Sequence, residues 1–274
     1  MSSVTILFAT TAALYFLAGT LYLIFLGRGH DSLAKAGTVL LGVSVVSHLA
    51  FLAVDWMGGN LPIADIHQAL AVLSLLVVLG YLATVTWESR RGAPRLLVLG
   101  AFITPVTLLL FLGAGFRRGV ALVDEETRSA LLPFHVAVNV LGLVAFAIAF
   151  GVALAYVLQE RQLRKKQLGG LFQRLPPLDV LDSLSFRMVL IGFPLFTIGV
   201  ISGTVWAVRI DPSAPAIGAT QTIGVIAWLM FAAVLLLRVA AGWRGRRAAI
   251  GTMLGFVCAC AVLLGYVLRD GGTS

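Results

Sequence analysis

Three histidines, His48, His67 and His135, lie within or at the edge of long apolar segments of this sequence. An ionisable side chain in such a segment is costly to bury, so each histidine is a candidate functional residue. Neutral imidazole is a common axial ligand of haem iron. Zinc would need three or four ligands at bonding distance, with carboxylates such as Asp55 and Asp65 in support. The residue types therefore favour haem over zinc.

Two of these histidines lie on helix faces made of polar or small residues. One face has the spacing i, i+4, i+11, and the other the spacing i, i+4, i+7, i+10. Their members are Ser44, His48 and Asp55, and His135, Asn139, Gly142 and Ala145. Such faces point towards protein rather than lipid. For any single histidine, a hydrogen bond between helices explains the pattern as well as a ligand does.

A porphyrin also requires apolar, aromatic walls around its iron ligands. Phe134, Trp56 and Trp206 lie near the histidines in the predicted topology and are the aromatic candidates. Patterns typical of other chemistry, namely a Ser-His-Asp order, a glycine-rich phosphate loop or HExxH, are lacking in the sequence. We therefore predict that the protein is not an enzyme.

The composition is that of an integral membrane protein. Of 274 residues, 59% are hydrophobic and 12% are charged, and the mean hydropathy is +1.00. The net charge of +8 comes from Lys and Arg in short loops, where such residues set membrane orientation. The sequence thus predicts the lipid bilayer as a partner and no nucleic-acid partner.

Eight apolar segments are long enough to cross a bilayer. They are Val4–Leu26, Gly37–Val54, Gln68–Trp87, Leu96–Gly115, Phe134–Leu158, Met188–Val208, Thr222–Leu237 and Ala248–Leu268. The first lacks a preceding basic residue and is longer than a signal-peptide core, so we expect a retained helix. The predicted fold is all-α, a polytopic membrane protein with one eight-helix domain over residues 1–274.

Basic residues predict the orientation of these helices. Fifteen of the 20 Lys and Arg residues fall on one side of the predicted membrane, and five on the other. The richer side is expected to be cytoplasmic, with both termini outside. On this topology His48, His67 and His135 share the outer half of the membrane, and His30 lies in a cytoplasmic loop.

The cytoplasmic segment 159–187 has a character of its own. A basic stalk should extend the fifth transmembrane helix, and a short interfacial helix should begin at Pro176 and Pro177. A membrane-surface anchor and a docking surface for a cytoplasmic partner both remain open for it. Cys258 and Cys260, spaced about 200° apart on a helix, are expected to be packing residues.

Longer motifs resemble a known family. These are LDSLSFRMVLIGFPLFTIGVISGTVWA, IAWLMFAAVLLLRVAAGWRGRRAAIGTMLGF and HVAVNVLGLVAFAIAFGVALAYVLQERQLRKK. Together they are similar to the cytochrome c assembly membrane-protein family of the CcsA or ResC type, and especially to its shorter HemX-like members. The resemblance implies haem handling in a bacterial inner membrane. By position it implies His48 as a membrane ligand of haem b iron and His135 as an outer-face ligand.

Some family features differ in this chain. No tryptophan-rich connector follows Trp206, Leu236 replaces a membrane histidine, and Arg269 lies near the position of another histidine. These differences favour a haem-binding accessory to cytochrome c maturation, with cytochrome c maturation proteins as partners. The alternative is a membrane regulator that holds a cytoplasmic haem-biosynthesis enzyme. A small-solute transporter is a weaker third hypothesis, because no inverted repeat is evident. The predicted cofactor-binding residues are His48, His135, His67 and Trp206.

Overall fold

The computed structural model describes residues 2–58, 66–90, 94–115, 131–166, 169–210 and 219–270. Within these ranges the chain forms α-helices, one 3-10 helix over Pro94–Leu99, and no strand. The α-helices are α1 (Ser3–Arg28), α2 (Asp31–Met57), α3 (Ile66–Arg90), α4 (Gly100–Gly113), α5 (Leu131–Arg164), α6 (Leu171–Arg174), α7 (Leu178–Ile210), α8 (Ala219–Ala240) and α9 (Arg246–Asp270).

Eight helical spans in the described residues are long and apolar enough to cross a bilayer. They correspond one to one to the predicted segments, so the all-α, multi-pass fold class is confirmed. The fourth span runs from Leu96 to Gly113 and includes most of the 3-10 helix and all of α4. The single-domain organisation and the placement of both termini outside remain predictions.

The contact between α3 and α5 connects the first four helices of the bundle to the later ones. Helix α1 packs against α2 and α4, and α3 lies beside α4 and α5. Helix α5 makes its most extensive contact with α7 and also packs on α9, which pairs with α8. Aromatic side chains fill the interior on both sides of this junction. Tyr15, Tyr22, Phe111, Phe146 and Phe231 are all fully buried.

The predicted interfacial helix is the first part of α7. The sequence from Leu178 to Met188 has no glycine or proline, so the helix continues without a break into the membrane span. The predicted stalk also ends earlier than expected. Helix α5 stops at Arg164, and Lys166 takes a left-handed backbone conformation with φ of 56°.

The short helix α6 is fastened to two other helices. The Arg174 guanidinium donates to the Leu26 carbonyl at 2.6 Å, near the end of α1. The Gln159 amide on α5 donates to the Phe172 carbonyl at 3.2 Å. Leu175, which follows α6, is 1% exposed. The segment therefore packs into the bundle rather than resting on its surface.

Asp182, near the start of α7, joins α8 and the start of α9. Arg238 binds its carboxylate with two nitrogens, Nη1 at 3.0 Å and Nη2 at 2.6 Å. The Gly245 backbone N–H donates to the same carboxylate at 3.0 Å, and the Arg238 guanidinium lies 4.3 Å from the Phe186 ring centroid. We call these four residues the Asp182 clamp. All four belong to the family-like motifs, which gives those motifs a structural role.

Candidate functional site

His48 is fully buried on α2. It lies about 13 Å along the helix from Met57, at a rise of about 1.5 Å per residue. Its Nδ1 shares a hydrogen bond of 2.9 Å with the Tyr15 hydroxyl on α1. Its Nε2 finds no hydrogen-bond partner among the described residues. A buried imidazole nitrogen left in this state costs free energy, so it marks a site where a ligand would be stabilising.

Aromatic rings surround the His48 imidazole. Ring centroids lie 4.5 Å away for Phe111, 5.8 Å for Tyr15 and 5.9 Å for Phe51. Phe8 extends this wall, since its ring stacks on Phe111 at 4.7 Å. The environment of His48 is therefore both apolar and aromatic, as a porphyrin site requires.

This aromatic wall differs from the predicted one. Trp56 is 61% exposed and Phe134 is 51% exposed, so both lie on the outer surface of the bundle. The expectation that they line the site with the histidines is therefore wrong. Trp206 belongs to α7, but its side chain lies outside the part of the structure that is described.

Hydrogen bonds between α1 and α2 position Tyr15 opposite His48. Thr11 and Ser47 share a hydrogen bond of 2.8 Å, and Tyr22 and Thr38 share one of 2.9 Å. These contacts lie on either side of the Tyr15 and His48 pair along the helices. They fix the register of the two helices and therefore the relative position of the phenol and the imidazole.

The predicted polar face of α2 is confirmed. Ser44 and His48 are 0% exposed, and Asp55 is 8% exposed. The Ser44 hydroxyl donates to the Leu40 carbonyl within its own helix. The hydrogen bond of His48 is therefore made with Tyr15 and not with Ser44. Asp65 lies outside the described residues.

His135 lies in the second turn of α5 and is held by α7. Its Nδ1 is 2.9 Å from the Gly199 carbonyl oxygen and 3.2 Å from the Ser202 hydroxyl. A carbonyl oxygen only accepts, so Nδ1 carries the proton and Nε2 keeps its lone pair. The Asn139 amide nitrogen donates to the His135 carbonyl at 2.8 Å and lies 3.4 Å from Nε2.

Glycines on α7 provide the space that His135 and its helix face occupy. A Cβ at Gly203 would lie 2.5 Å from Cε1 of His135, and one at Gly199 would overlap the Asn139 side chain. One turn further along α5, a Cβ at Gly142 would lie 3.1 Å from the Phe196 backbone nitrogen. Small residues thus let α5 and α7 approach closely, as is typical of membrane helix pairs.

His67 is half-buried at the start of α3. Its Nδ1 donates to the Gly113 carbonyl at the end of α4, over 3.3 Å. Since Phe111 packs on His48, both His67 and His48 contact the last turn of α4. The structure therefore brings these two histidines to one region, whereas the partners of His135 lie on α5 and α7.

The two best-placed imidazoles share one feature, since Nδ1 is engaged by a hydrogen bond in each. Nε2 has no hydrogen-bond partner among the described residues in His48, and it lies 3.4 Å from the Asn139 amide nitrogen in His135. No cluster of three or more His, Cys, Asp or Glu side chains is arranged for a metal ion in the described ranges. The described residues therefore do not support a zinc site, which needs three or four ligands. They are compatible with axial ligation of haem iron, which needs one imidazole on each side of the iron.

The cysteines contact neighbouring helix residues. The Cys258 thiol on α9 lies 3.4 Å from the Met230 sulfur on α8, and both Cys258 and Cys260 are free. The expected packing role agrees with this contact. Leu236, at the position where the family resemblance implies a membrane histidine, is 66% exposed on α8. Its side chain therefore points away from the interior.

A sequence model described as cytochrome C assembly protein matches residues 7–269. The chain belongs to this family. Curated relatives named cytochrome c biogenesis protein CcsA include one from Parasynechococcus marenigrum, 29% identical over 267 residues, covering 87% of this chain and 86% of the relative. The one from Gloeobacter violaceus is 26% identical over 309 residues, covering 92% and 88% respectively. The predicted membership of the CcsA-type family is confirmed, and the likeness to HemX-like members remains a prediction.

Proposed function

We propose that this protein binds haem in the membrane and serves cytochrome c maturation. The observation that carries the proposal is the Nε2 atom of His48, which lies in an aromatic, apolar interior and has no hydrogen-bond partner in the described part of the chain. Haem brings an iron that takes imidazole as an axial ligand and an apolar macrocycle that packs on aromatic rings. Family membership supports the same reading, since the relatives are named cytochrome c biogenesis proteins.

In this proposal His48 and His135 each bind haem iron, at two separate haem positions near one end of the bundle. Tyr15 orients the His48 ring, and the Gly199 carbonyl orients the His135 ring. His67 lies at the same end and could receive haem as it passes between them. The cofactor would be haem b, held without a covalent bond.

The proposed role is that of an accessory in the bacterial inner membrane, which handles haem rather than catalysing its attachment. The departures at Leu236 and Arg269 support it, because they remove two histidines that the family resemblance implies. The proposed partners are haem, the bilayer and other cytochrome c maturation proteins.

Substituting the histidines one at a time tests the ligand assignment. We expect His48→Ala and His135→Ala each to lower the apparent affinity for haem tenfold or more, because each removes an axial ligand. The haem absorption of the purified protein measures this affinity. His30→Ala is the matched control, because His30 is exposed at the start of α2. If all three variants bind haem equally well, neither His48 nor His135 is a ligand.

A second candidate function is regulation of a cytoplasmic haem-biosynthesis enzyme through the basic end of α5. Its supporting observation is that Arg161, Arg164, Lys165 and Lys166 are exposed there. Of these, Arg164 is paired with Glu160 at 2.8 Å, so the other three form the surface a partner would meet.

Charge reversal at these three positions separates the two functions. If the protein acts through an enzyme partner, Arg161→Glu, Lys165→Glu and Lys166→Glu together should remove the effect on haem synthesis in cells and leave haem absorption unchanged. If haem handling is the function, cytochrome c levels should follow His48→Ala instead. Reversal is preferable to deletion here, because α6 packs into the bundle beside this surface.

A further inference from the structure

Tyr15 occupies a distinctive place beside the candidate ligand. Its side chain is 0% exposed, and its hydroxyl lies 2.9 Å from Nδ1 of His48. Its ring meets the imidazole edge-on, at an interplanar angle of 73°. Tyr15 thus contacts the side of the ring opposite Nε2, the nitrogen for which the described ranges supply no hydrogen-bond partner.

We propose that Tyr15 is a positioning residue that holds the His48 ring in place and sets its donor strength as a haem ligand. This inference rests on the proposed function. It adds a residue from another helix, α1, to a site for which the sequence analysis predicts His48, His135, His67 and Trp206.

The argument starts from the single proton of a neutral imidazole. If Nε2 binds a metal, its lone pair is used, and the proton must be on Nδ1. The Tyr15 oxygen then accepts the hydrogen bond. If no metal is bound, the hydroxyl can donate to Nδ1 instead, with the proton on Nε2. A hydroxyl serves both states because it both donates and accepts.

A phenylalanine at this position would serve neither state. With haem bound, Nδ1–H would be buried without an acceptor, which is unfavourable in an apolar interior. The ring would also lose the contact that fixes its rotation. Hydrogen bonding to the outer nitrogen of a ligating histidine raises its basicity, and loss of such a partner typically weakens metal binding about 10- to 100-fold.

The same helix supplies a matched control. Tyr22 is also 0% exposed and lies two turns from Tyr15 on α1. Its hydroxyl bonds to Thr38 at 2.9 Å, not to a histidine. Tyr22→Phe therefore removes the hydroxyl of an equally buried tyrosine without changing a contact of His48.

The experiment compares Tyr15→Phe, Tyr22→Phe and unmodified protein in detergent, titrated with haem b. We expect Tyr15→Phe to bind haem about tenfold more weakly, to shift the Soret band, and to raise the iron reduction potential, because a less basic ligand stabilises the ferric state less. Tyr22→Phe should match the unmodified protein in all three. Equal behaviour of Tyr15→Phe and unmodified protein, or the same changes in Tyr22→Phe, would overturn the inference while haem binding itself stands.

Melting of the haem-free protein provides a second readout. Tyr15→Phe should lower the melting temperature in the otherwise unmodified protein but have little effect when His48 is already Phe, because the shared hydrogen bond is then gone. Additive shifts would show that the two side chains are not coupled and would overturn the inference. If the unmodified protein binds no haem, the proposed function fails and this inference fails with it.

Discussion

Asp182→Ala is expected to destabilise the protein by about 3 kcal/mol, the largest stability effect that we predict. The substitution removes the two hydrogen bonds from Arg238 to the carboxylate and the acceptor of the Gly245 N–H. Arg238 has only 10% of its side chain exposed, so its charge would remain largely buried without a carboxylate, keeping the Asp182 carbonyl as an acceptor at 3.2 Å. Thermal or denaturant unfolding in detergent measures the change.

Asp179→Ala is the matched control for this experiment. Asp179 is an exposed carboxylate in the first turn of the same helix, where its charge interacts favourably with the helix dipole. Its removal should cost about 0.3–1 kcal/mol. The Asp182 clamp would have no special role in stability if the two variants unfolded alike.

Gly203→Ala is expected to displace His135 and weaken haem binding at that position. The added Cβ would lie 2.5 Å from Cε1 of His135, so α5 and α7 would have to separate or the ring would have to turn. Overpacking of this kind typically costs about 1–3 kcal/mol. Turning the ring would also break the hydrogen bond to the Gly199 carbonyl. Haem titration and melting temperature would both report the change.

Gly224→Ala makes the same chemical change in α8, where no neighbouring atom of the described structure lies within 4 Å of the added Cβ. Replacing a helical glycine by alanine at such a position should stabilise the protein by about 0.5–1 kcal/mol. The two variants should therefore shift the melting temperature in opposite directions. If the Gly203→Ala protein were as stable as the Gly224→Ala protein and bound haem equally well, the proposed close packing of His135 against Gly203 would be contradicted.

Features encoded within one helix could be predicted from the sequence. The spacing of Ser44, His48 and Asp55 predicts a single protein-facing side of α2, and all three side chains are buried. The eight spans follow from apolar length, since a bilayer demands about 20 such residues in each. Both inferences need only the geometry of one helix.

Features that depend on which helices meet could not be predicted in this way. Tyr15 and Phe111 reach His48 from α1 and α4, and no spacing within α2 indicates them. Trp56 and Phe134 are expected near the site from the predicted topology, in which they adjoin Asp55 and His135. Neighbouring residues point about 100° apart on a helix, so a side chain next to a buried one is often exposed, as both are here.

The most direct test of haem binding is the visible absorption spectrum of the protein purified after expression with haem supplied. We predict a Soret band in the unmodified protein that is lost when His48→Ala and His135→Ala are combined. A purified protein that shows no Soret band under these conditions, or a double variant that keeps the full band, would contradict the account.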